Sequence, residues 1–365
     1  MKTKKRPLLL TGLAAFAMLA TADLAPALDR TWDGTTGNWD VDANWSDDTA
    51  PTASDYSYIN NSGTALLPAG LSGSYNRLFV GTTSSGAGTI NINGGVLSGS
   101  RAYLGNAAGS TGTVTVTSGT WSGGNTVYVG YSGTGHLLVN GGRVSILNAT
   151  IGGDTLGQGS VTVSSGTLSS GGVLWVGQSG KGNLLINGGL VSTSGALLGR
   201  NPDGQGSIKV TGQGSAWINQ DILWVGNQGS NNTLTIENEA LVKVGDAIGE
   251  TISFSIDGGT NNYLRLDGGY IALFGNQITE INDMIVEGFI QLWDGSAWVT
   301  ATLADVEITE YTNDAAGEAA ALEATGYSGL GGYTVATAQA VPEPTTTVLI
   351  ALGLGAFALC RRRSS

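Results

Sequence analysis

His136 is the only histidine of this 365-residue chain, and general acid–base chemistry near neutral pH usually begins with such a side chain. It opens a short alternating segment, His136 to Val139, whose counterparts elsewhere begin with Thr, Ser or Asn. A catalytic base needs a positioned partner, and no acid recurs beside it. Between Leu78 and Ile236 the acids are Asp154, Asp203 and Asp221, one apiece in separate repeat units. The chain also lacks a nucleophile elbow, a Walker loop, a Cys or His metal cluster and a dinucleotide fingerprint in its required context. The Gly-rich run from Gly86 lies between repeat strands, so it does not read as a phosphate cradle. These residues predict a protein that is not an enzyme and takes no cofactor.

Two further groups could bind. Asp33, Asp40, Asp42, Asp47 and Asp48 lie close together among Asn residues, and hard oxygen ligands of this kind suit Ca2+. Their spacing matches neither an EF-hand loop nor a Gly-rich nonapeptide. A solvated acidic cap without a metal is therefore the expectation. Phe79, Tyr103, Tyr128, Trp175 and Trp224 recur at one position of a repeat. Aromatic rings at such a spacing stack on each other, or on sugar rings with weak, multivalent adhesion to polysaccharide.

The elements that must position these residues are read from the repeat itself. GTGHLLVNGGRVS (133–145) and GKGNLLINGGLVS (180–192) are 47 residues apart. Aligning on Val-Gly or Leu-Gly places Gly81, Gly105, Gly130, Gly152, Gly177, Gly199, Gly226 and Gly249 in one register. Each unit of about 24 residues then carries three short apolar segments. The first holds the aromatic positions, with Thr150, Leu197 and Ala247 completing the file. The second alternates with period two: Ile90 and Ile92, Val114 and Val116, Leu137 and Val139, and so on to Leu264 and Leu266, the mark of a strand with one buried face. The third brings Leu97, Trp121, Val144, Leu168, Val191, Trp217, Val242 and Ile271 to matching places.

Such a unit cannot bury its apolar face alone, so its neighbours must stack. The expected fold is all-β: a β-solenoid, read as a right-handed parallel β-helix of about eight rungs with capping segments. The Asn-Gly-Gly corners (Asn93, Asn140, Asn187) are where the chain leaves one sheet for the next, with Gly free to adopt left-handed backbone and Asn bonding local backbone. An antiparallel sandwich or propeller is the rival, disfavoured by three segments per unit.

The ends carry addresses. Residues 1–27 have a basic start, an apolar run from Leu8 to Ala20 and small-x-small cleavage sites, the layout of a signal peptide. At the other end Pro342, Glu343 and Pro344 precede an apolar segment from about Val348 to Leu359 and then Arg361, Arg362 and Arg363. This order resembles the PEP-CTERM sorting signal. The resemblance implies export, processing by an exosortase-type enzyme in a bacterium that makes extracellular polysaccharide, and a transient stay in the inner membrane before release to the cell surface or matrix. A short transmembrane segment with its arginines held in the cytoplasm fits that picture; a permanent anchor is the alternative. Cys360, the single cysteine, falls at the inner edge of this segment and has no disulfide partner.

The body, with its VG..G.G.L.INGG pattern, resembles the repeat shared by autotransporter passenger regions and PEP-CTERM proteins. The resulting organisation is a signal peptide (1–27), a Trp-rich N-terminal cap (28–77) with Trp32, Trp39 and Trp45, a repeat region (78–273), a C-terminal cap (274–325), a linker (326–340) and the sorting signal (341–365). The formal net charge is −12. Loss of both ends removes seven of 16 basic and two of 28 acidic residues, leaving 9 against 26. Nucleic acid is excluded as a partner on that charge. The expected function is an exported structural repeat protein at the cell surface, in contact with exopolysaccharide; the alternative is a carbohydrate-binding or polysaccharide-degrading β-helix.

Overall fold

Alternation at period two requires that every second side chain of a strand be buried, and stacked coils satisfy it. The computed structural model describes residues 26–338 and is a β-solenoid of about 11 turns, more than the eight expected. The three segments of each unit form three parallel sheets. In the second sheet, Leu67, Ile92, Val116, Val139, Val163, Ile186, Val210, Ile236 and Leu266 lie one above another, and all are fully buried. The third sheet aligns Leu97, Trp121, Val144, Leu168, Val191, Trp217, Val242 and Ile271 in register. In the middle of the coil the three segments fuse. Ala87–Leu104, Thr111–Val129, Thr134–Ile151 and Gln158–Val176 each run unbroken round two corners, so one irregular turn per coil remains.

That turn begins at the aligned glycine. Gly130 has φ 71°, which strains any residue with a Cβ, and a Cβ there would stand 2.2 Å from the Gln158 carbonyl oxygen of the next coil. Two separate reasons thus select glycine. The register fails at the eighth unit: residues 246–250 form a turn, with Ile248 94% exposed. The strand of that coil is instead Ile252–Phe254, paired with 223–225, and Ser255 (φ 50°) takes the place expected for Gly249. Neither Gly249 nor Ala247 is in the file.

The extra coils come largely from the N-terminal segment. Residues 29–31 pair in parallel with 56–58, 56–59 with 77–80, and 36–38 with 64–66. The stretch expected as a cap therefore already coils. Its three tryptophans fill the first coil: Trp45 packs edge-on against Trp32 at 5.0 Å and Trp39 at 4.8 Å, and its Nε1 donates to the Trp39 carbonyl at 2.7 Å.

Interior side chains are matched between coils. Buried Tyr75 accepts a hydrogen bond at 2.9 Å from Trp121 Nε1, two coils on, and the coil between supplies Gly99, where a Cβ would lie 2.3 Å from the Tyr75 ring. At the corners, Thr117 and Ser118 donate to Asn93 Oδ1 at 3.2 and 3.0 Å, and Ser164 donates to Asn140 Oδ1. The expected bonding of these Asn side chains to local backbone is replaced by bonding to the hydroxyls of the next coil. Acceptor and donor coils alternate from Asn93 to Ser164, whereas Thr211, one coil beyond Asn187, accepts from Asn238 Nδ2 at 2.9 Å.

At the far end, α1 (Ile278–Val286) turns Ile281, Met284 and Ile285 into the core. Two antiparallel additions follow: 298–300 on 291–293, and Tyr333–Ala338 between 270–274 and 306–310. Residues 326–338, expected as linker, thus belong to the cap; Tyr333 Oη donates to the Gly245 carbonyl at 2.9 Å, and burial pushes that hydroxyl up to about 12. The cap also contains α2 (Ala315–Thr325), whose N-cap Asp314 accepts from the Gly317 N–H at 2.8 Å. The signal peptide up to residue 25 and the sorting signal lie outside the described residues.

Replacing Gly130 with Ala is expected to cost about 2–3 kcal/mol, from strain plus forced displacement. Gly214→Ala, at φ 82° but with open space around it, is expected to cost about 1 kcal/mol from strain alone. Equal losses in urea denaturation would show that the neighbouring coil's backbone does not constrain Gly130.

The cap makes a pH prediction. The Gly317 N–H holds Asp314 below its ordinary 3.8, and the Gly329 and Gly331 N–H groups hold Glu318 below its ordinary 4.5. A depressed folded pKa stabilises fully above the ordinary value and ceases to do so as pH falls through the folded one. Hydrogen exchange, corrected for intrinsic rates, should accelerate in 312–331 on going from pH 6 to 3 while 87–198, with Asp154 as its one acid, stays protected. Uniform acceleration along the chain would contradict this.

Candidate functional site

The outer face of the first sheet carries the aromatic file. Because the register there is unbroken, central residues align as Thr31, Tyr58, Phe79, Tyr103, Tyr128, Thr150, Trp175, Leu197, Trp224 and Ser253. All five predicted aromatics are in it, and all are partly exposed. The file divides in two. Tyr58, Phe79, Tyr103 and Tyr128 form one continuous stack, with centroids 4.9, 5.1 and 4.8 Å apart and planes within 6° of parallel. Tyr131, from the following turn, packs edge-on against Tyr103 at 5.7 Å and Tyr128 at 5.3 Å. Partial burial, with the neighbouring tyrosines adding to it, pushes the Tyr128 hydroxyl up. The inner members of this stack spend both ring faces on their neighbours.

Buried Thr150 ends the stack. Beyond it, Trp175 and Trp224 stand two coils apart with Leu197 between them, and this stretch opens into a groove of about 420 Å³. Val173 and Leu197 contribute apolar surface, while Arg200, Asn201, Asn227, Gln228 and Asp257 line it with polar groups. Arg200 places its guanidinium 5.5 Å from the centroid of Trp175, a cation–π contact, and Asn227 Nδ2 donates to Asp257 Oδ2 at 3.3 Å. The polar residues lie in the irregular turns that follow each first-sheet strand, where backbone departs from the ladder and side chains reach outward.

Sequence reasoning missed Tyr58, because Asn60 stands where the marker glycine would be. It also missed the polar lining, since turns of unequal length hide which residues share a wall. A second omission lies at the end of the second sheet. Ile236 pairs with Leu266, so Glu237 and Asp267 occupy adjacent coils. Lys209 Nζ is 2.6 Å from Glu237 Oε2, while burial, then the Glu237 charge, raises Asp267 from its ordinary value.

The other candidates are not brought together. His136 lies on the outer face of the second sheet between Thr113 and Ser160, neither of which titrates near neutral pH. Asp154 accepts from Ser132 Oγ at 3.1 Å, and Asp221 caps the Ile222 N–H at 2.8 Å, two coils or more apart. Among the N-terminal aspartates, Asp42 accepts from the Ala50 N–H at 2.9 Å and Asp47 faces Arg30 at 3.4 Å. Among the described residues no three His, Cys, Asp or Glu side chains converge as a metal site.

Removing the Tyr103 ring breaks three aromatic contacts, two stacked and one edge-on, of about 0.5–1.5 kcal/mol each beyond area burial. Tyr103→Ala is therefore expected to destabilise the protein by about 2–4 kcal/mol once lost burial is included, and Trp224→Ala, outside the stack, by less. The comparison is made by thermal or urea unfolding; equal losses would mean that the stack adds nothing.

Comparison with known proteins adds the address. Residues 340–364 match the PEP-CTERM protein-sorting motif. The chain is thus an exported protein sorted by way of the membrane to the cell surface, and its processing partner is an exosortase-type enzyme. No curated protein and no solved structure matches the chain. Among the described residues no helix is long and apolar enough to cross a membrane; the expected transmembrane segment, about 348–359, lies outside them.

Proposed function

We propose that this protein is a non-catalytic surface rod that holds extracellular polysaccharide against the outer face of its first sheet, through Trp175 and Trp224. The observation that supports this most directly is the groove at those two residues: apolar and aromatic at its base, hydrogen-bonding at its rim, the usual make-up of a small-molecule or glycan site. Phe79 and Tyr103 serve the rod instead, since both faces of each are used in the stack, and Tyr128 ends it with one face on Tyr103 and an edge-on contact to Tyr131. The sorting motif supports the setting, because a chain delivered to the cell surface meets extracellular polymers there. Passage through the inner membrane as an intermediate, and then residence at the surface or in the matrix, completes the proposed route.

A second reading, polysaccharide cleavage, has one observation in its favour. Asp267 is raised beside a Lys-paired Glu237, and two carboxyl groups in unlike environments are what an acid and a base require. That pair is on the second sheet, away from the aromatic groove, so binding and cleavage would not share a site.

The test is affinity-gel retardation of the exported protein against a panel of polysaccharides, beside a Trp175→Ala, Trp224→Ala double variant, with reducing ends assayed in the same samples. Retardation lost in the variant and no new reducing ends are expected. Equal mobility of both proteins with every polymer would remove the binding reading; reducing ends that vanish in Asp267→Asn would establish the second.

A further inference from the structure

A ladder of rings has a fixed pitch, and a missing ring leaves a space of fixed size. Along the intact stack the rings repeat every 4.8 to 5.1 Å, the spacing of strands in a sheet. Trp175 and Trp224 are separated by two such steps, roughly 9.6 Å, and the residue between them is Leu197. A six-membered ring placed above Leu197 lies about 4.8 Å from each tryptophan, within the range at which flat groups pack on aromatic faces. Leu197 is a floor rather than a plug: its side chain is shorter than the rings on either side, and the groove opens above it.

We infer that this gap is a single-ring slot, taking one pyranose unit of an uncharged glycan as the rung that the protein's own ladder omits. The inference rests on the polysaccharide-contact reading and deepens it. The rim supports a sugar over a flat aromatic ligand. Arg200 and the amides of Asn227 and Gln228 donate, and Asp257 accepts, a mixture suited to a ring fringed with hydroxyls that do both. An uncharged sugar is favoured over a uronate on two grounds. Asp257 stands at the rim, and the chain carries a formal charge of −12, so an anionic polymer is repelled at long range with a lone arginine opposing. The Arg200 guanidinium lies over the Trp175 ring, 5.5 Å from its centroid. On binding, this exposed, flexible side chain moves from the ring face to the hydroxyls at the rim.

The stack predicts its own control. Leu197→Trp restores a ring to the gap, so the slot closes by continuing a pattern that already folds. The full exported protein and this variant are compared by gel retardation in dextran, mannan and hydroxyethyl cellulose as neutral probes, and in polygalacturonate as the anionic one. Expected are retardation by at least one neutral polymer, at least a tenfold weakening in Leu197→Trp with an unchanged or higher melting temperature, and unaltered binding in Tyr103→Ala at temperatures where it stays folded. Undiminished binding in Leu197→Trp overturns the slot and leaves the polysaccharide-contact reading standing. Retardation by polygalacturonate alone overturns the uncharged assignment. Absence of retardation by all four polymers overturns both. If Leu197→Trp does not fold, Trp224→Ala replaces it, with the same tenfold criterion.

Discussion

The parallel register between successive coils is the constraint on which everything else depends. Once Ile92 is bonded into the sheet beside Val116, and Val116 beside Val139, each position of the unit becomes a file running along the rod. Backbone donors and acceptors are satisfied between coils, as they must be when buried, and the interior is one continuous apolar column. A coil has no stability apart from its neighbours, which is why the residues repeated most faithfully are those that touch the next coil: the inward aliphatics and the turn glycine.

The same register converts repetition into a surface. A residue repeated on an outward position becomes a stack, as with Tyr58, Phe79, Tyr103 and Tyr128. A residue that departs from the pattern becomes a gap at a defined depth and width, as with Leu197. Polar complementarity follows the same rule: Asn93 and Asn140 meet hydroxyls one coil on. Later in the rod the glycine file at the start of the second-sheet strands, Gly182 and Gly206, passes to buried Asn232 and Asn262, whose side chains bond each other at 2.8 Å. Free ring faces in such a molecule are found at breaks of periodicity, because the inner groups of a uniform stack have already used their faces on each other.

Ends are the corresponding weakness. The last coil would present unpaired strands to other chains, and here α1, two antiparallel additions and Tyr333 cover it. At the first coil, Trp32, Trp39 and Trp45 fill an interior that has no coil beyond it among the described residues. A protein bound for the cell surface by the PEP-CTERM route leaves the cytoplasm and its chaperones, which makes well-covered ends valuable against aggregation.

Much of this was written in the sequence by itself. Period-two alternation identifies the buried face without reference to any partner, and a fixed spacing of Val-Gly or Leu-Gly identifies the unit; both are local signals. The third-sheet file from Leu97 to Ile271 and the aromatic file up to Trp224 follow from them, and the terminal addresses are composition and order alone. What only the tertiary structure decided is where local signals fall silent. Coils before Leu78 carry Asn60 in place of the marker glycine, so their membership depends on pairing with the coil above. The eighth first-sheet strand lies at Ile252 rather than Ala247, because an inserted turn costs little once the flanking strands are held. Above all, the division of one aromatic file into a closed stack and an open slot required knowing which turns wall it in. Arg200, Asn227 and Asp257 are distant in sequence from Trp175, and contact between coils is what brings them to one rim.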